Sequence, residues 1–220
     1  IQQAAHALLD AVLRSSLAWR RLRHSKGLFA MFVSETVSFT RMDEGTREEY
    51  QLLDRHYKKL DRELFDNVLG LLHRVRGDKL GYQIDRYDHS LQTATPALRD
   101  GADEETVVVA LLHDIGDTLA PWNHSDLAAA ILQPYLSADN HWLVQHHGIF
   151  QGYYFWHHSG GDRFARERYR GHPMFERTAE FCEKWDQRSF DPNYDTLPFD
   201  AFEPMMRRLL ARPPFGGTAL

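Results

Sequence analysis

The run Leu111-Leu112-His113-Asp114-Ile115-Gly116 sets two metal-ligand residue types side by side at the end of an apolar stretch. An ionisable pair buried there is costly unless it is paired or holds a metal. Other ligand types recur in order around it: His89 in Tyr87-Asp88-His89-Ser90, His124 after Trp122-Asn123, His147 in Gln145-His146-His147, and Asp186 in Lys184-Trp185-Asp186-Gln187. Nitrogen and oxygen ligands spread over several helices are how a bundle core builds a metal site. A carboxylate flanked by four histidines suits iron or manganese better than calcium or magnesium, which prefer all-oxygen shells. A lone buried histidine is ordinarily a satisfied core residue, but that reading does not account for six such residues together. His146 competes with His147, and the helix face favours His147. His56, His73, His141, His157, His158 and His172 read as surface or loop groups.

Composition narrows the remaining chemistry. The chain has 220 residues, of which 13 are histidine and one, Cys182, is cysteine. Internal disulfides and cysteine-based zinc fingers are therefore excluded, and a reducing, cytoplasmic setting is expected. Cys182 reads as a small core residue rather than a nucleophile. A formal net charge of -5 argues against a nucleic-acid partner. No apolar run is long enough to span a membrane. No glycine-rich phosphate loop, Ser-His-Asp arrangement or calcium loop is present.

The elements that must position the ligands read as helices. Apolar residues at 3.6 spacing predict one from Arg47 or Leu52 to Val75. Another is expected over residues 88–98, with Asp88 a possible N-cap. Asp103 should cap a fully buried helix through Val107 to Leu112 that delivers His113-Asp114. Further helices are expected over 127–135, ended by Pro134, from Asp139 to His147, from Pro173 to about Arg188, and over 202–211. Residues 152–161 read as a loop. The fold class is all-α, about eight helices around one core, with residues 31–220 a single domain. Residues 1–30 hold five basic residues and one acidic residue. They are read as a presequence, a partner helix or, by preference, an extension upstream of a natural start at Met31.

The ordered set His89, His113-Asp114, His124, His147 and Asp186 resembles the HD-domain superfamily, over roughly residues 80–192. That family shares a helical bundle with a buried metal site. Local features are similar to its mixed-valent di-iron oxygenase branch, the myo-inositol and organophosphonate oxygenases. They are His89-Ser90-Leu91-Gln92-Thr93-Ala94, Leu111 to Gly116, Trp122-Asn123-His124-Ser125-Asp126, the aromatic run from His147 to Trp156, and Trp185-Asp186-Gln187. The resemblance implies a dinuclear site in which Asp114 bridges two irons, one Fe(II) and one Fe(III). His89, His113 and Asp186 would complete one iron, and His124 and His147 the other. It implies O2 and a small molecule as the substrates, with His89 and Asp114 central to catalysis.

The expected substrate contacts are Tyr82, Gln92, Asp117, Gln151, Trp156 and Glu183. Asp117, Gln151 and Glu183 stand where the resemblance leads one to expect groups that hold anions. They argue against a phosphonate substrate, and the two acids with nearby aromatics could instead hold an amine. The alternative is a phosphohydrolase using manganese, which would need clustered Arg or Lys at the metals. A metal-binding domain without turnover is a third reading.

Overall fold

A computed structural model describes residues 36–217, and the expectations for residues 1–30 lie outside them. The described residues fall into two compact units, divided between Asp61 and Arg62. Among the described residues there are seven α-helices and no strand. No helix among them is long and apolar enough to cross a membrane.

In the first unit, helix α1 (Arg47–Arg74) begins with a reciprocal cap. Thr46 Oγ1 accepts from the Glu49 N–H while Glu49 Oε2 accepts from the Thr46 N–H, so two otherwise orphaned backbone donors are satisfied. Glu49 Oε1 also accepts from the Ser38 N–H and hydroxyl.

In the second unit, the C-terminal part of α1 buries Phe65, Val68 and Leu72. Helix α2 (Arg86–Arg99) is capped by Asp85, which accepts from the Asp88 N–H. Asp88 thus lies in the first turn rather than at the cap. Helix α3 (Glu104–Leu112) is capped by Asp103, which accepts from the Thr106 N–H. Every residue from Thr106 to Leu112 is buried, and α2, α5 and α7 pack around this helix. Helix α4 (His124–Leu132) passes into a 3-10 turn at Gln133–Tyr135, because Pro134 has no N–H with which to continue an α-helix.

Helix α5 (Ala138–Phe155) is capped by Ser137 and runs through residues expected to form a loop. Gly152 within it leaves room for the Trp156 ring: a Cβ there would lie 2.4 Å from the indole. Helix α6 (Phe175–Lys184) stops short of Arg188. A break at Trp185 leads into a 3-10 turn, Asp186–Arg188, which turns Asp186 inward. Helix α7 (Glu203–Leu210) closes the bundle.

Glu105 clamps this packing. Its carboxylate accepts from the Ser137 N–H at 2.7 Å and Asn140 Nδ2 at 2.9 Å, and pairs with Arg212. Burial pushes the carboxyl up, yet the bonds from Ser137, Arg212 and Asn140 outweigh it and hold it at about 2. A carboxyl depressed in the folded state stabilises fully above its unfolded pKa, and that contribution fades as pH falls toward the folded value. Glu105→Gln is expected to cost about 2 kcal/mol at neutral pH. In urea unfolding, the gap to wild type should narrow as pH falls from about 4.5 toward 2.

Candidate metal centre

Four helices and one turn bring the ligand-type residues together. His89 comes from α2, His113 and Asp114 from the end of α3, His124 from the first residue of α4, His147 from α5 and Asp186 from the turn after α6. The α3–α4 connection closes tightly. A Cβ on Gly116 would lie 2.6 Å from the His124 carbonyl oxygen, so only glycine lets the chain return this close to Asp114.

Asp114 lies between two sets of imidazoles. Its Oδ2 faces His89 Nε2 at 3.4 Å and His113 Nε2 at 3.5 Å. Its Oδ1 faces His147 Nε2 at 3.1 Å and His124 Nε2 at 3.4 Å. Asp186 Oδ1 lies 3.3 Å from His89 Nε2 and 3.7 Å from His113 Nε2. A metal with ligands at about 2.1 Å has ligand-to-ligand edges of about 3.0 to 3.4 Å, close to these spacings. Two overlapping groups, His89–His113–Asp186 and His113–Asp114–His147, have ligand atoms within 4.8 Å of one another and could hold a metal ion.

Hydrogen bonding on the far side of the rings decides which nitrogens face inward. His113 Nδ1 donates to the Ala110 carbonyl at 2.9 Å and His147 Nδ1 to the Val144 carbonyl at 2.7 Å, each three residues back. His89 Nδ1 donates to the Ser189 carbonyl at 2.8 Å. With the proton on Nδ1, a neutral ring turns its Nε2 lone pair inward. His89 Nε2 and His113 Nε2 then face each other at 3.3 Å, and both face carboxylate oxygens. Such a set of lone pairs is repulsive without a cation or protons among them. Asp186 Oδ2 is buried with no hydrogen-bond partner, a group that costs several kcal/mol, on the order of 1–3 or more, if left so. The donor set and this orphaned oxygen fit a bound metal.

Electrostatics agree. Burial opposes charge here, and at His89, His113, Asp114 and Asp186 the mutual attractions prevail. His89 is raised by Asp186 and Asp114, and His113 by Asp114 and Asp186. Asp114 is held well below the carboxylate range by His113, His147 and His124. Asp186 is lowered by hydrogen bonds from His113 and His89. His124 is lowered, chiefly by burial, against the pull of Asp114.

These groups floor a cavity of about 230 Å³ lined by Tyr82, Arg86, Asp117, Gln151, Tyr154, Phe155, Gln187 and Phe190 as well as by His89, Asp114, His124, His147 and Asp186. A larger groove of about 860 Å³ beside Arg177 and Trp185 contains none of the ligand-type residues. Tyr82 stacks on Phe190 at 5.2 Å between centroids, and Phe190 stacks on His89 at 4.6 Å. Gln151 Nε2 donates to Asp186 Oδ1 at 2.9 Å.

Family models and curated proteins give no match to this chain. The reading of the centre therefore rests on its geometry.

Three expected substrate contacts lie elsewhere. Gln92 is turned to the 189–191 segment, where its Nε2 donates to the Asp191 carbonyl at 2.7 Å. Glu183 is exposed, because α6 ends one residue later and only the turn beyond it points inward. Trp156 folds back over Gly152 and lines a neighbouring pocket with Trp122 and Tyr169, which shares His124, Gly148 and Phe155 with the cavity. That pocket also takes His146, whose ring stacks on Trp142 at 4.0 Å, so His147 alone of the pair reaches Asp114. Asp117 does line the cavity, but it is paired with Arg86, Nε to Oδ2 at 2.7 Å. An amine held jointly by Asp117 and Glu183 does not fit this arrangement. Arg86 and Phe190, which also line the cavity, were not among the expected substrate contacts. Arg86 had a signal, standing three residues before His89 on one helix face; the place of Phe190 follows from the turn after α6. Cys182 is buried, directs its Sγ at the His147 carbonyl at 3.6 Å, and has its thiol pushed well up by burial, as suits a core residue rather than a nucleophile.

His89 and His113, raised by the carboxylates beside them, hold protons up through the ordinary histidine range that a metal must displace. Binding of Mn²⁺ is therefore expected to release protons and to tighten as pH rises through that range. Titration calorimetry in buffers of different ionisation enthalpy measures the protons released; a buffer-independent heat would contradict the assignment.

Proposed function

We propose that the chain is an HD-domain oxygenase that holds two irons and uses O2 to oxidise a small polar metabolite. The observation that carries this reading is the division of Asp114, one oxygen toward His89 and His113 and the other toward His124 and His147. In this reading Asp114 would serve both metals, and His89, His113 and Asp186 would hold one of them. The position beside His124 and His147 has fewer protein ligands and opens to the cavity. Bound iron would supply O2 activation and C–H oxidation. The chain's own residues would hold the metals, fix the imidazole tautomers through main-chain carbonyls, and surround the substrate. Tyr82, Tyr154, Phe155 and Phe190 give the cavity an aromatic wall.

One observation favours the phosphohydrolase alternative: Arg86 lines the cavity, where it could meet a phosphate oxygen. It is the only Arg or Lys lining it among the described residues, and its Nε is committed to Asp117. A phosphate clamp generally draws on several such groups, so the oxygenase reading is preferred.

Metal analysis and EPR on protein loaded anaerobically with iron and partly reduced by ascorbate test the choice. Two irons per chain with a mixed-valent signal, perturbed by candidate metabolites under anaerobic conditions, is the expected result. Absence of that signal together with phosphatase turnover on manganese addition would transfer the chain to the hydrolase class.

A further inference from the structure

We infer that Asp117, held by Arg86, positions His124 and so sets the affinity of the second of two metal positions. The inference rests on the reading above that Asp114 bridges two metals. Three of the four histidines are locked by their own main-chain bonds, at 2.8 Å for His89, 2.9 Å for His113 and 2.7 Å for His147. His124 is not. Its Nδ1 is buried and has no hydrogen-bond partner, and it faces Asp117 Oδ1 at 3.6 Å. Its side chain is also the most open of the four, 25% exposed against 2%, 0% and 2%.

The position of Asp117 is well determined. Its N–H donates to the Asp114 carbonyl at 3.0 Å, so the two carboxylates belong to one turn. Its Oδ2 accepts from Arg86 Nε at 2.7 Å, with only 11% and 19% of the two side chains exposed. The guanidinium is seated 4.6 Å above the Tyr82 ring. Arg86 therefore keeps one carboxylate oxygen engaged and leaves the other toward His124.

A neutral imidazole carries one N–H, and the ring can ligate through Nε2 only if the proton sits on Nδ1. A carboxylate beside Nδ1 favours that tautomer and turns the Nε2 lone pair toward Asp114 Oδ1. A small contraction of the 3.6 Å contact makes it a hydrogen bond. Asp117 is in this sense a positioning residue. Removing it leaves the ring free to turn over and to carry its proton on the wrong nitrogen. The position completed by His89, His113 and Asp186 has no such dependence.

Mn²⁺ binding to the full chain, with unbound Mn²⁺ read by EPR of the aqueous ion, tests this. Wild type should bind two ions. His124→Ala should lose the second and keep the first, which identifies the weaker position. Asp117→Ala should weaken the second on the order of 10–100-fold with the first unchanged. Asp117→Asn should recover much of that loss, because its carbonyl oxygen still accepts from Nδ1–H. Circular dichroism and thermal unfolding establish that each variant is folded. If Asp117→Ala binds both ions as wild type does, weakens both equally, or is matched by Asp117→Asn, the inference is overturned and the proposed function stands. If wild type binds fewer than two ions, both are overturned.

Discussion

The buried carboxylate of Asp114 is the constraint around which the second unit is organised. A charge at the end of a fully buried helix cannot be left to itself, because its desolvation exceeds what ordinary packing returns. Four imidazoles and a second carboxylate meet it there. Each must come from a different place in the chain, so α2, α5, the start of α4 and the turn after α6 all have to converge on the C-terminal end of α3. The apolar packing of α3 on α2, α5 and α7 supplies the rigidity that this convergence needs.

Helix ends do much of the aiming. His113 follows the last residue of α3, and His124 is the first residue of α4. Asp186 is turned inward by the break at Trp185, whereas Glu183, still on α6, stays in solvent. Inside α5, His147 uses a different device, a bond from Nδ1 to the carbonyl three residues back, and His113 does the same. Such bonds to main chain hold a ring's angle and tautomer without any further side chain, which lets these rings sit beside an apolar core.

The cavity above the ligands is asymmetric. On one side Phe190 and Tyr82 stack in succession on His89 and shield it. On the other, His124 is partly open, with Asp117 and Arg86 beside it. Three carboxylates and one arginine leave the cavity with an excess of negative charge that protons or a metal must balance. The pairing of Arg86 with Asp117 reduces that excess locally without occupying the space beside Asp114.

How much of this could be read without coordinates depends on the distance over which each feature is decided. The helices that carry His89, His113 and His147 were legible, because residue type and 3.6 periodicity are local properties, whereas the turn that carries Asp186 was read as helix. The buried run before His113 marked its helix as central, and Asp103 marked its start. The pairing of Arg86 with Asp117 spans 31 residues, and the stacking of Phe190 on His89 joins α2 to a turn that follows α6. Both depend on how far a helix runs and at what angle its end is broken, and a shift of one residue rotates a side chain by about 100°. Gln92 and Trp156 were placed in the cavity by proximity in sequence to the ligand-type residues and Glu183 by the resemblance, yet none of the three lines it. The sequence by itself determined the helical class and the identity of the ligand-type residues. Only the tertiary structure decided which neighbours share the cavity, because that is set by the packing of helix faces across long stretches of chain.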